Sequence, residues 1–280
     1  MNKNFLTPAE TAAAIVDAGR VKGDRSFSSL LILGILAGAF IAFAGQGSSM
    51  ASFNLLAQPE TFGLGRCLLG SVFTVGLMMV VISGAELFTG NTMMCLAVMQ
   101  KQTTLVKMLR NWAVVYIGNF LGAVLIAWMV SVTGLWESGG QALGMMTVKI
   151  ALGKVNLSFG AALISGILCN WLVCMAVWFA TGADTVLGKL AACFFPIWLF
   201  ATSGFEHSIA NMYYITAGLL AKPLYGFFFS AEEMALLNWE SFFLSNLLPV
   251  TIGNIIGGGL FVAIALWFGH RSKDRAKAEA

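Results

Sequence analysis

The residues in this chain that can do chemistry are few and unevenly placed. Only two histidines occur among the 280 residues, His207 and His270. His207 lies in Ser203-Gly204-Phe205-Glu206-His207-Ser208, a polar interruption of a long apolar run. Ionisable groups are expensive in such surroundings, which makes His207 a candidate for function. An anion beside a buried imidazole favours its charged form. His207 can therefore take up a proton as an anion arrives, or it can simply donate a hydrogen bond. His270 ends the last apolar run and reads as an interfacial residue.

A second interruption, Ser83-Gly84-Ala85-Glu86-Leu87-Phe88-Thr89-Gly90-Asn91, matches the first. Glu86 and Glu206 occupy equivalent places. Each fits a proton relay, or a carboxylate that accepts backbone N–H groups and steadies the break. Only one adjoins a histidine, which favours the second reading. Asn91 and Asn211 repeat in the same way, and Asn119 and Asn254 are suited to pair with interrupted backbone, since a buried amide needs partners. Thr89 offers a hydroxyl after the first break, toward the centre or as a helix cap. Phe73 and Leu77 lie one turn apart before that break and Phe200 precedes the other. They can narrow a path or merely pack. Lys149 and Lys154 fall in a connecting loop, where a cation can draw anions inward. No nucleophile–base pair, metal-ligand cluster or phosphate loop is present, so neither catalysis nor a cofactor is expected. The five cysteines lie in apolar runs and read as small buried hydrophobes.

The elements that hold these residues follow from composition. The chain is 58% hydrophobic and 10% charged, against about 25% charged in soluble domains. That excludes a soluble enzyme and identifies a polytopic membrane protein. The net charge of +3 carries no nucleic-acid signal. Apolar regions run from Phe27 to Ala44, Leu64 to Met99, Val106 to Val132, Phe159 to Ala180, Leu187 to Ala221 and Phe242 to Phe268. The second and fifth are longer than about 20 residues, the length that crosses a bilayer, and both contain the polar interruptions. They are therefore predicted to be broken helices.

The expected all-α fold has a cytoplasmic segment 1–26, a transmembrane domain 27–268 and a cytoplasmic tail 269–280. Thr7-Pro8-Ala9-Glu10 predicts a capped N-terminal helix that serves as a lid or interface. No apolar stretch precedes Phe27, so no cleaved signal is expected. Six crossings place both termini on one side. Twelve of the sixteen Lys and Arg residues fall on that side, which makes it cytoplasmic.

The two halves repeat. Asn111, Val115, Ile117, Gly118, Asn119, Gly122 and Leu125 match residues 135 positions later; Ser83, Gly84, Glu86 and Asn91 match at 120; Gly34-Ile35-Leu36 matches at 132. Three spans per repeat, about 27–132 and 159–268, make the copies inverted. Inverted repeats with paired broken helices place a substrate site near the midplane. Both half-helices aim their positive N-terminal ends there, which suits an anion or a polar oxygen.

At Gly84-Ala85-Glu86-Leu87-Phe88-Thr89, Asn111-Trp112 with Gly118-Asn119, Cys169-Asn170-Trp171-Leu172-Val173-Cys174, Ser203 to Met212 and Pro249-Val250-Thr251-Ile252-Gly253-Asn254, the chain resembles the formate/nitrite transporter family. The resemblance spans roughly Phe27 to Phe268. It implies an aquaporin-like fold, a homopentamer in the inner membrane with one pore per protomer, and passive or proton-coupled movement of a small monovalent anion or its acid. By motif, His207 resembles the central pore histidine and Thr89 its partner. Lys154 resembles the outer vestibule lysine, with Lys149 a nearby rival. Phe73, Leu77, Leu87 and Phe200 match the constriction. Ser203 to Met212 and Pro249 to Gly259 look most like formate channels, whereas Cys169 to Cys174 looks closer to nitrite members. Formate is the expected substrate, with nitrite or hydrosulfide as alternatives. A neutral-solute channel fits less well, because paired Asn-Pro-Ala breaks are absent.

Overall fold

The computed structural model describes residues 5–269; His270 and the charged tail lie outside them. Helix α1 (Pro8–Asp24) begins with the expected capping box, in which Thr7 and Glu10 bond each other's backbone N–H. The chain then forms α2 (Phe27–Leu56), α3 (Phe62–Ser83), α4 (Phe88–Met99), α5 (Leu105–Ser131), α6 (Ala142–Val155), α7 (Phe159–Gly182), α8 (Val186–Ser203), α9 (Ser208–Tyr225), α10 (Ala231–Leu236) and α11 (Trp239–Gly269). Six of these are long and apolar enough to cross a bilayer: α2, α3, α5, α7, α8 and α11. The all-α architecture with six spans and two broken helices is as the sequence predicted.

The breaks occur where glycine permits a left-handed turn. α3 ends at Gly84 with φ 71°, and α8 ends at Gly204 with φ 85°. A side chain at these positions would be strained, so the helix stops there. The chain then re-enters as the half-helices α4 and α9.

Within each repeat, glycines allow the first and third spans to touch backbone to backbone. A Cβ on Gly38 would overlap the Asn119 carbonyl, and one on Gly122 the Ile35 carbonyl. The second repeat has the same arrangement, with Gly253 against Leu163 O and Gly257 against Ile167 O. Such contacts bring Asn119 and Asn254 to the breaks.

Three features differ from the sequence reading. The first span does not stop near Ala44 but continues to Leu56. Its polar stretch stays helical because Ser48 and Ser52 donate to the carbonyls of Ala44 and Ser48 at 2.6 Å each. The segment holding Lys149 and Lys154 is not a loop; it is α6, packed against α9 and α2. The last span contains two wide turns, over Phe242–Leu247 and Ile256–Ile264. At Gly258 in the second of these, a Cβ would overlap Thr92 Oγ1.

α1 and α6 also correspond. Ser26 and Ser158 cap the helices that follow them, α2 and α7, and are 132 positions apart, as are Lys22 and Lys154 near the ends of α1 and α6. The inverted correspondence thus reaches beyond 27–132 and 159–268 to the helix before each first span.

Candidate functional site

His207 and Thr89 meet at the centre. The His207 Nε2 and Thr89 Oγ1 atoms are 3.0 Å apart, with His207 3% exposed and Thr89 fully buried. His207 Nδ1 accepts the Ala210 N–H at 3.0 Å, which caps α9. A nitrogen that accepts carries no proton, so the neutral ring holds its proton on Nε2 and donates it to Thr89. Thr89 does not cap its own half-helix. Its carbonyl instead accepts from Asn170 Nδ2 at 3.1 Å and Thr92 Oγ1 at 2.7 Å.

His207 and Thr89 break the repeat symmetry. At an offset of 120, His207 corresponds to Leu87 and Thr89 to Ile209. One repeat contributes the imidazole and the other the hydroxyl, each where its counterpart is aliphatic.

Asn119 and Asn254 act as matching clamps on the broken backbone. Asn119 Nδ2 donates to Gly34 O at 2.7 Å and Glu86 O at 2.9 Å, while its Oδ1 accepts the Phe88 N–H at 2.9 Å. Asn254 Nδ2 donates to Gly166 O at 2.8 Å and Glu206 O at 3.1 Å, while its Oδ1 accepts the Ser208 N–H at 2.9 Å. In a bilayer these groups have no water to turn to, so the amides replace it.

The glutamates have partners other than the backbone N–H groups expected for them. Lys22 Nζ donates to Glu86 Oε2 at 2.8 Å and to Asn91 Oδ1 at 2.9 Å. Asn91 Nδ2 donates to Glu86 Oε2 at 2.6 Å and to Asn111 Oδ1 at 2.8 Å, and Asn111 returns to Lys22 O at 3.2 Å. The other repeat has Lys154 Nζ on Glu206 Oε1 at 2.9 Å, Asn211 Nδ2 on Glu206 Oε2 at 2.6 Å and on Asn246 Oδ1 at 2.7 Å, and Asn246 on Lys154 O at 2.9 Å. Each buried carboxylate thus has a lysine and an amide as partners, the condition under which such burial is tolerated.

Three cavities lie along one line of residues. A cavity of about 380 Å³ is lined by Lys149, Lys154, Glu206, Tyr214, Phe73, Phe200 and His207. One of about 350 Å³ is lined by Lys22, Arg25, Glu86, Asn91, Leu77 and Leu87. Between them is a void of about 10 Å³ lined by Ile41, Phe73, Leu77, Leu87, Val173, Ile197, Phe200 and His207. The void shares Phe73, Phe200 and His207 with the first cavity and Leu77 and Leu87 with the second. Two vestibules, each with charged side chains set in a largely apolar wall, therefore meet at an apolar neck whose single polar side chain is His207. Thr89 lines none of the three and reaches the neck only through His207.

Lys154 faces the vestibule, whereas Lys149 is exposed at its edge. Sequence reasoning missed Lys22, Arg25 and Arg66. Arg25 Nε lies 3.4 Å from Glu86 Oε1. Arg66 donates to the carbonyls of Ala201 and Thr202, closing the C-terminus of α8. The offset of 132 between Lys22 and Lys154 was the one signal that could have identified Lys22. At the end of α1, Asp24 accepts from Lys107 Nζ at 2.6 Å, which holds its carboxyl below the usual aspartate range.

The profile of the formate/nitrite transporter family matches residues 9–268. A probable formate transporter of Methanothermobacter thermautotrophicus is 38% identical, over 96% of this chain and 98% of its own. A formate channel of Bacillus thuringiensis is 40% identical, over 93% of this chain and 94% of its own. Among solved structures, a pentameric formate channel with formate bound aligns with a TM-score of 0.73 at 32% identity, covering 86% of this chain and 96% of that one.

Proposed function

This chain belongs to the formate/nitrite transporter family, and from that premise we propose that it carries formate or formic acid along the path from the Lys154 vestibule through the apolar neck to the Lys22 vestibule. The carrying observation is the neck itself, an apolar ring of two phenylalanines and aliphatic side chains with one imidazole in its wall. Two vestibules with a lysine each would be wasted on a structural scaffold, and the neck holds no nucleophile for an enzyme.

The physical sequence of events follows from the lining. Lys154 or Lys22 draws the anion into a vestibule, where its charge is balanced. A bare anion would then have to shed water into an apolar neck, at a cost of several kcal/mol or more. Formic acid avoids most of that cost, so the anion takes a proton from the water of the vestibule near His207 before it crosses and returns it to water on the far side. The His207 N–H, donated to Thr89 at rest, is the one side-chain donor in the neck wall and bonds a passing solute by leaving Thr89. The void is near the volume of about one water. Formate has three heavy atoms, so Phe73, Phe200, Leu77 and Leu87 must shift as it passes.

The protein acts as a channel or proton-coupled transporter and not as an enzyme. Its termini face the cytoplasm, as the Lys and Arg distribution favours. It assembles as a pentamer with a path in every protomer, supported by the pentameric relative.

Flux in proteoliposomes at two pH values, with His207→Ala alongside, tests this reading. Formate flux that rises with acidity and falls by at least tenfold in His207→Ala is expected. A His207→Ala protein with full rate and unchanged pH dependence overturns the role of His207. Preference for nitrite or hydrosulfide keeps the path and replaces the substrate.

A further inference from the structure

The two repeats differ around their lysines: Arg25 lies 3.4 Å from Glu86 Oε1 in the first, and the offset of 132 puts Leu157 in its place in the second. In the Lys22 network the ammonium holds two acceptors, Glu86 Oε2 and Asn91 Oδ1. In the Lys154 network the two bonds donated by the asparagine and the return to the lysine carbonyl are reproduced, but Lys154 Nζ bonds only Glu206, through Oε1. The matching acceptor, Asn211 Oδ1, is buried without a hydrogen-bond partner. Its identity as oxygen is settled by its neighbours, because Asn211 Nδ2 donates to both Glu206 and Asn246. A buried acceptor with a lysine in the same network should capture it, unless something else holds the lysine.

Two groups hold it: Glu206 Oε1, which faces no arginine in this repeat, and Tyr214. Lys154 Nζ lies 5.4 Å from the centre of the Tyr214 ring, within cation–π range. The ring is fixed on both sides. It stacks on Phe73 with centroids 6.5 Å apart, and its hydroxyl lies 3.3 Å from Ser48 Oγ. Ser48 donates its own proton to Ala44 O, so Tyr214 is the donor. Tyr214 also lines the Lys154 vestibule. At the offset of 120, the first repeat has Met94 in its place, and there the lysine sits on its asparagine.

We propose that Tyr214 is a positioning residue: its ring holds the Lys154 ammonium off Asn211 and over the vestibule, where it meets the incoming carboxylate. The two lysines then differ in task. Lys22 commits two of its three donors to its break, whereas Lys154 commits one and keeps two for an anion. This rests on the transport reading above and adds the residue that sets anion capture on the Lys154 side.

The test compares wild type, Tyr214→Met, Tyr214→Phe, Lys154→Gln and Tyr214→Met/Lys154→Gln in proteoliposomes, with formate presented on the Lys154 side. Tyr214→Met should raise the half-saturating formate concentration by about 2- to 30-fold, the range that a cation–π contact spans, with maximal rate within about twofold. Tyr214→Phe keeps the ring and should behave as wild type. In the Lys154→Gln background, Tyr214→Met should add nothing, since the ring then has no ammonium to hold. An unchanged half-saturating concentration in Tyr214→Met overturns the proposal, as does an equal rise with and without Lys154. An electron-microscopy structure of Tyr214→Met gives a readout independent of flux: Lys154 Nζ should move onto Asn211 Oδ1. If it stays beside Glu206 alone, the proposal fails even where transport holds. If it moves while wild type carries no small anion, the transport reading fails and the positioning role stands.

Discussion

Replacing Asn254 with alanine removes three hydrogen bonds at once: two donated to Gly166 O and Glu206 O, and one accepted from Ser208 N–H. Asn254 is fully buried, so none of the three backbone groups gains water in exchange. An orphaned buried group costs about 1–3 kcal/mol. Gly166 O lies inside α7 and keeps its helical N–H partner, so Glu206 O and Ser208 N–H are the two orphaned groups, and the loss is at least about 2 kcal/mol, taking the low end of that range for each. In a domain of this size, 1 kcal/mol corresponds to about 2–4 °C in melting temperature. Asn254→Ala should therefore melt at least about 4 °C lower than wild type. The measurement is loss of the assembled size-exclusion peak after heating in detergent. Asn254→Leu restores the volume without the bonds and should lose as much. A drop of under about 2 °C in Asn254→Ala, or recovery in Asn254→Leu, would refute the reasoning. Either result would mean that the break is steadied by packing and not by the amide. Because Ser208 begins the half-helix that carries His207, both variants should also lose formate flux in proportion greater than their loss of assembled protein.

Lys154→Ala leaves Glu206, 5% exposed, without its cation, and should destabilise the protein by about 3–5 kcal/mol; Lys154→Ala/Glu206→Gln should recover part of that loss in the same thermal assay. Gly38→Ala pushes a methyl into the Asn119 carbonyl and should cost about 1–3 kcal/mol and displace the first clamp, read as lower melting temperature and lower flux. The Asp24–Lys107 pair ties the end of α1 to α5. Because the Asp24 carboxyl is held below its usual range, its contribution is present above the unfolded value of about 4 and is lost as pH falls through the lower folded value. Asp24→Asn at neutral pH should imitate the acid state, with faster tryptic cleavage at Arg25; an unchanged cleavage rate would show that the pair does not hold α1.

Much of this protein is legible in one dimension because a bilayer imposes simple rules. Runs of about 20 apolar residues must be spans, and runs that are too long with a polar centre must be broken. Gly84 and Gly204 mark the stopping points, since only glycine takes the left-handed turn without strain. Asn119 and Asn254 stood out because an amide inside a span needs a partner. The polar helix end of α2 and the helix α6 were missed for the opposite reason. The end of α2 is interrupted by Gln46, Ser48 and Ser49, α6 is only 14 residues long with two lysines, and both depend on their neighbours for stability. Ser48 and Ser52 satisfy themselves on backbone carbonyls, while α6 rests on α9 and α2.

The sequence alone determined the six spans, the two breaks, the inverted repeat and the identity of His207 as the unusual residue. Those properties follow from hydropathy, glycine and local spacing. Only the tertiary structure decided which residues meet. Thr89 and His207 are 118 positions apart, and Lys22 and Glu86 are 64 apart. The roles of Lys22 and Tyr214 depend on what faces them across the breaks. No local pattern encodes such pairings, because they arise when two inverted copies close around one axis and the side chains at the seam cease to be equivalent.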